Sequence, residues 1–196
     1  MSGRDPMEYG WWLASRASGL VALALITLSV TLGLAMAGRV SRRPGLAQAL
    51  VAVHEQSALA GLIAIAVHGL TLLGDRWLAP GPMGIAVPFA MEYRPLWTGL
   101  GITAGYLAAA LGLSFYARRR IGTKRWRRLH KLTILVYLLS VAHTLGAGTE
   151  AREPWLLAPL VLTGAAVLFL FVMRVLPREA PRPSAATAGA PGGRPG

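Results

Sequence analysis

The sequence predicts an all-α membrane protein with five transmembrane helices in one bundle. Charged residues make up only 14% of the chain and apolar residues 54%, whereas about 25% of the residues of a soluble domain are charged. The mean hydropathy is +0.50. Only helices and closed barrels satisfy their backbone hydrogen bonds in lipid, and the apolar runs here are too long for barrel strands.

Five apolar runs are each long enough to cross a bilayer core, which needs about 20 residues. They cover approximately residues 11–37, 47–73, 96–116, 129–147 and 155–176. Residues 1–10 are expected to be an outer N-terminal segment without signal-peptide character, and the membrane domain is expected to cover 11–178. The loop 75–95 is predicted to be an outer lid. Residues 179–196, rich in Pro, Gly and Ala, are expected to be a disordered cytoplasmic tail.

The distribution of cations predicts the orientation of the helices. Fifteen Lys and Arg residues flank one side of the predicted bundle and four flank the other. Because cytoplasmic loops carry the excess of cations, we expect the N-terminus outside and the C-terminus inside a plasma membrane. The net charge of +12 lies between apolar runs rather than on a folded face, so no nucleic-acid partner is expected; the partner is the lipid bilayer.

Several kinds of site are excluded or unsupported by the sequence. The chain has no cysteine, which excludes disulfides, thiolate metal sites and iron–sulfur clusters. It has no P-loop or dinucleotide-binding glycine motif, and no internal repeat is apparent.

The stretch from Ala47 to Gly74 organises the functional interpretation. It contains His54 and His68, which are 14 residues apart, and the fourth span contains His130 and His143, which are 13 apart. These four are all the histidines of the chain. Spans two and four run in the same direction, so His54 and His130 should lie toward the inner leaflet and His68 and His143 toward the outer. The two levels are about 21 Å apart along a helix.

Two imidazoles at each level favour haem over other metals. Zinc and di-iron sites need clustered ligands, often with carboxylates, whereas two axial imidazoles suit a six-coordinate haem b that transfers electrons. Without a CxxCH motif the attachment would be non-covalent. The sequence therefore predicts two stacked haem b groups, with the four histidines as axial ligands of the iron.

The angular positions of the histidines agree for one helix only. On an ideal helix, His54 and His68 differ by about 40° around the helix axis, so they share a face. His130 and His143 would differ by about 140° and point in different directions. Either the fourth span is distorted, or its imidazoles reach the haems from two flanks.

Cationic residues near the two levels have two possible roles. Arg16 could pair with a propionate of the outer haem or extend to the outer interface. Arg127, Arg128 and Lys131 could meet inner propionates or act only as positive-inside charges.

A family resemblance rests on these residues. They are the HX13H of His54 and His68, the HX12H of His130 and His143, Arg16 in WWLASRASG, the segment RRLHKLTILVYLLSVAHTL, and YRPLWTGLG at 93–101. Over about 11–176 the chain resembles the ferric reductase-like transmembrane domain. That superfamily includes ferric reductases, NADPH oxidases and the haem-binding membrane subunit of a bacterial methionine-sulfoxide reductase system.

The resemblance implies electron transfer from a cytoplasmic-side donor, through both haems, to an extracytoplasmic acceptor. Many members have six spans and larger ones carry flavin and nicotinamide domains, which this sequence lacks after span five. The donor could be a separate flavoprotein, a quinol or a bound flavin, and whether the chain is itself an enzyme stays open. The alternatives are the haem subunit of a periplasmic reductase system and a haem-free transporter or scaffold.

Overall fold

The computed structural model describes residues 6–38 and 44–176. They form eight α-helices and one short 3₁₀-helix, Leu72–Gly74, and contain no strand. The helices are α1 Pro6–Ala37, α2 Pro44–Thr71, α3 Gly81–Ala86, α4 Pro95–Leu113, α5 Arg118–Ile121, α6 Thr123–His130, α7 Thr133–Ala147 and α8 Pro154–Val175.

Five helical segments are long and apolar enough to cross a membrane, which confirms the predicted number of spans. They are Tyr9–Ala37, Gly45–Gly74, Pro95–Leu113, Thr123–Ala147 and Pro154–Val175. The third ends three residues earlier than predicted, because Ser114 to Ala117 form tight turns whose amides bond mostly three residues back. The predicted tail at 179–196 and the cations Arg4, Arg39, Arg42, Arg43, Arg178, Arg182 and Arg194 lie outside the described residues.

The helices pack as two antiparallel pairs. α1 packs mainly against α2, and α4 mainly against α7, while α8 lies chiefly against α1. A buried apolar layer joins these helices at mid-height; its residues include Ile26, Val30, Leu111, Val136 and Tyr137. Tyr137 is thus part of the core between the two histidine levels.

The fourth span is broken into α6 and α7 between its histidines. Lys131 and Leu132 are in turns, and the amides of Lys131, Leu132, Ile134 and Leu135 each bond to a carbonyl three residues earlier. Such 3₁₀-type bonds turn the chain by about 120° per residue rather than 100°. Of the two explanations for the 13-residue spacing, the structure therefore has the distorted helix.

The loop between α2 and α4 is held in place by packing against α4. It contains α3, and Phe89 packs against Gly99 of α4, where a side chain would collide with the phenyl ring. The Tyr106 hydroxyl donates to the Ala86 carbonyl at 2.6 Å. The loop therefore stays against α4.

Candidate functional site

The four histidines meet as two pairs. The ring centroids of His54 and His130 are 6.0 Å apart, with the rings at 87°. Those of His68 and His143 are 6.2 Å apart, with the rings at 72°. Each pair joins one imidazole from α2 to one from the fourth span, in the combination that the parallel direction of these spans predicted.

His68 is fixed by a reciprocal contact with Ser15 of α1. Its Nδ1 donates to the Ser15 carbonyl oxygen at 2.7 Å, and the Ser15 hydroxyl donates to the His68 carbonyl at 3.4 Å. The ring lies over Gly19, where an added Cβ would be 2.9 Å from Nδ1. This close approach requires glycine.

His54 is held in the same way one level lower on α1. Its Nδ1 donates to the Ser29 carbonyl oxygen at 2.8 Å, the Ser29 hydroxyl donates to the His54 carbonyl at 3.4 Å, and a Cβ on Gly33 would be 3.3 Å from its ring. Ser15 and Gly19 therefore recur as Ser29 and Gly33, 14 residues later, which is also the spacing of His54 and His68. This Ser-x-x-x-Gly repeat was not predicted, although the sequence contains both equal spacings of 14 residues.

His143 has the same kind of anchor on α4. Its Nδ1 donates to the Trp97 carbonyl oxygen at 2.9 Å, and its ring lies so close to Gly101 that a side chain at that position would collide with it. The indole of Trp97 in turn packs against Gly146 of α7. As at Ser15 and Ser29, the accepting carbonyl is four residues before the glycine.

These hydrogen bonds define the tautomer of three imidazoles. A carbonyl oxygen only accepts, so Nδ1 of His54, His68 and His143 carries the proton. A neutral imidazole then has its free lone pair on Nε2. Donation of the other ring N–H to a carbonyl is the usual arrangement of a metal-ligating histidine.

His130 differs from the other three. Its Nδ1 is buried and has no hydrogen-bond partner among the described residues. The ring instead stacks on Trp126 of the same helix, with centroids 4.9 Å apart and planes at 24°. The Trp126 indole is itself fixed, because its Nε1 donates to the Ser114 hydroxyl at 3.2 Å.

Each histidine pair lines its own cavity. The cavity of 710 Å³ at the end nearer α6, here called inner, contains His54 and His130, and the cavity of 810 Å³ at the opposite end, here called outer, contains His68 and His143. Ile26 and Leu62 line both and so lie at the partition. Both volumes are in the range of cofactor pockets, about 300–1,000 Å³.

The two cavities carry opposite charges. Among the described residues, the inner one is lined by Arg127, Arg128, Lys131 and Arg174, and by no carboxylate. The outer one is lined by Arg16, Asp75 and Glu150.

Arg16 lies at the outer cavity, paired with Glu150. Its guanidinium forms an ion pair with the Glu150 carboxylate and stacks 4.8 Å from the centre of the Trp12 ring. Its side chain is 23% exposed, so it remains partly accessible from the cavity. Glu150 lies in the α7–α8 turn, and nothing in the sequence marked it as the partner of Arg16.

The spacing within each pair fits two imidazoles on opposite sides of one metal. Metal–imidazole bonds of about 2 Å place the two ring centroids about 6 Å apart. In the part of the chain that the structure describes, no group of three or more His, Asp or Glu side chains forms a metal site. Two imidazoles at this spacing fit a metal whose remaining ligands a cofactor would supply.

No protein-family model matches the chain, and no solved structure matches it.

Proposed function

We propose that this chain is a di-haem b electron-transfer protein of the plasma membrane. His54 and His130 would hold the inner haem, and His68 and His143 the outer one. The proposal rests on the arrangement of the two imidazole pairs. In each pair the ring centroids are about 6 Å apart, and each pair lines its own cavity. In three of the four rings the Nδ1–H bond leaves Nε2 free to bind iron.

The chemistry supplied by a bound haem b is the gain and loss of one electron at its iron. The protein's residues bind and orient. The two histidines of each site would hold the haem through its iron, so that the site would exchange electrons rather than bind a substrate. The carbonyls of Ser15, Ser29 and Trp97 hold the rings, and Ile26 and Leu62 keep the sites apart. A role as an electron conduit, rather than as a catalytic centre, follows from this arrangement.

The direction of transfer in the proposal rests on charge asymmetry. With the N-terminus outside, the basic segment from Arg118 to Lys131 faces the cytoplasm. The inner site then receives electrons from a separate flavoprotein or a quinol, and the outer site passes them to an extracytoplasmic acceptor. The exposed apolar side chains of the spans support lipid as their surroundings.

The test is haem content and visible spectrum of the full-length protein, purified in detergent from haem-supplied cells. Two low-spin b haems per chain are expected, with bands that change on dithionite reduction. His54→Ala and His68→Ala should each reduce the content to about one haem. Thr163→Ala is the matched control, because Thr163 bonds only within α8 and lines neither cavity. A protein without haem, or histidine variants with unchanged haem content, would overturn the proposal.

A further inference from the structure

The inner and outer sites differ in how their imidazoles are held. In the outer site both Nδ1–H groups donate to carbonyls, of Ser15 and of Trp97. In the inner site only His54 does so, since His130 has no acceptor among the described residues. The outer pair thus has two polarised imidazoles and the inner pair one.

This difference affects how strongly each pair donates electron density. A hydrogen bond from the second ring N–H raises the basicity of a ligating imidazole. A more basic ligand stabilises the oxidised, more positive state of a metal. The outer pair, with two such bonds, therefore favours the oxidised state more than the inner pair does.

The charges around the cavities act in the same direction. In the part of the chain that the structure describes, four cations and no carboxylate line the inner cavity. The outer cavity has one cation, Arg16, already paired with Glu150, and a second carboxylate, Asp75. Asp75 is only 4% exposed, and one of its carboxylate oxygens has no partner in the described residues. Cations favour the less positive, reduced state of a nearby metal, and anions oppose it.

We infer that the inner site has the higher reduction potential of the two, and that Trp126 is the positioning residue that allows this. The inference rests on the proposed function, in which the step from the inner to the outer site is then unfavourable and the overall transfer is driven by the potentials of the donor and the acceptor. Stacking on Trp126 holds the His130 ring in place without polarising its Nδ1–H, whereas a carbonyl would do both. His130 is thus positioned by an aromatic face, and it donates less electron density to a bound metal than a histidine whose Nδ1–H is hydrogen-bonded.

Potentiometric titration of the purified full-length protein tests the order of the potentials. Two one-electron transitions are expected in its absorption spectrum. Arg127→Gln and Arg174→Gln should each lower the potential of the higher transition and leave the lower one unchanged. Arg119→Gln is the control, because Arg119 is an exposed cation of the same basic segment that does not line the cavity.

A response of the lower transition to Arg127→Gln or Arg174→Gln would overturn the inference while leaving the di-haem function intact. Coincident transitions in the unmodified protein would do the same. Absence of haem would overturn the proposed function and the inference with it.

The role of Trp126 has its own test. Trp126→Leu should weaken inner haem binding, by about 10- to 100-fold as for other groups that orient metal ligands, while Trp126→Phe keeps the stacked ring and both haems. If the leucine variant does not fold, Ser114→Ala, which frees the indole, should shift the higher transition alone. Trp77→Leu removes an indole on the outer loop and should leave that transition unchanged. The role is excluded if Trp126→Leu changes neither the affinity for the inner haem nor the potential of the higher transition. Where Ser114→Ala replaces that variant, an unchanged higher transition excludes the role.

Discussion

At the scale of single residues, the accessible helix carbonyl is the feature that organises both sites. A carbonyl inside a helix already accepts the amide N–H four residues later, but it has a second lone pair. The side chain at that fourth residue lies over it on the helix surface. Gly19, Gly33 and Gly101 have no side chain over the carbonyl four residues earlier, so an imidazole can reach that carbonyl. Polar anchors of this kind need no polar side chain in the lipid-embedded core.

Gly19→Ala tests this account of the outer site. The added Cβ would lie 2.9 Å from His68 Nδ1, so the ring must move and its bond to the Ser15 carbonyl lengthens. We expect weaker outer haem binding by about tenfold or more, as for other losses of support to a metal ligand. Haem titration of the apoprotein measures it.

Gly10→Ala provides the matched control on the same helix. No heavy atom lies within 4 Å of a Cβ at Gly10, and both haem affinities should be unchanged. Equal affinities in the Gly19 and Gly10 variants would contradict the role of the exposed carbonyl.

The sequence was sufficient to predict which histidines lie together, but not which carbonyl groups hold their rings. Every residue has a backbone carbonyl, so Ser15, Ser29 and Trp97 are not distinguished by residue type. Their position is visible only through the glycine four residues later. Trp126 lies four residues before His130 and so on the same helix face, a signal that the sequence did contain.

At the scale of helices, the break between α6 and α7 reconciles the 13-residue histidine spacing with paired sites. An ideal helix would rotate His143 by about 140° away from the line of His130. Four amides around the break, those of Lys131, Leu132, Ile134 and Leu135, bond to the carbonyl three residues back and recover about 80° of this rotation, at about 20° each. The sequence could not place the break, because RLHKLTIL contains neither proline nor glycine.

An alanine inserted after Ser140 tests the register of α7. The insertion rotates His143 by about 100° relative to His130 and shifts it by about 1.5 Å. His143 then loses the Trp97 carbonyl and faces away from His68, while the inner pair keeps its geometry. Haem content should fall from two per chain to about one, with the higher-potential transition retained.

An alanine inserted after Arg152, an exposed residue of the α7–α8 turn, is the corresponding control. It lengthens a turn that follows both histidines, and haem content should stay at two. Retention of two haems after the Ser140 insertion would show that the register of α7 does not determine the outer site.

At the scale of the whole molecule, the five spans enclose two stacked cavities with different charged linings. Cations line the inner cavity, and two carboxylates and one cation line the outer one, among the described residues. Composition and run length were enough to predict the spans, since lipid leaves few alternatives for such a chain. The sequence predicted a lid for the loop 75–95, but not which of its residues line the outer cavity, because this depends on specific packing, such as Phe89 against Gly99. The cationic wall of the inner cavity and the basic α5–α6 segment belong to the same side. Orientation therefore connects the charge pattern to the proposed direction of electron transfer.

Cysteine labelling in intact cells tests that orientation without background, because the chain has no cysteine of its own. Met83 is 68% exposed on the outer loop, and Thr123 is exposed at the start of α6. Neither carries a charge, so substitution leaves the positive-inside signal unchanged. A membrane-impermeant thiol reagent should label Met83→Cys in intact cells and Thr123→Cys only after permeabilisation. The opposite pattern would put the cationic cavity outside, and the donor would then have to approach from the extracytoplasmic side.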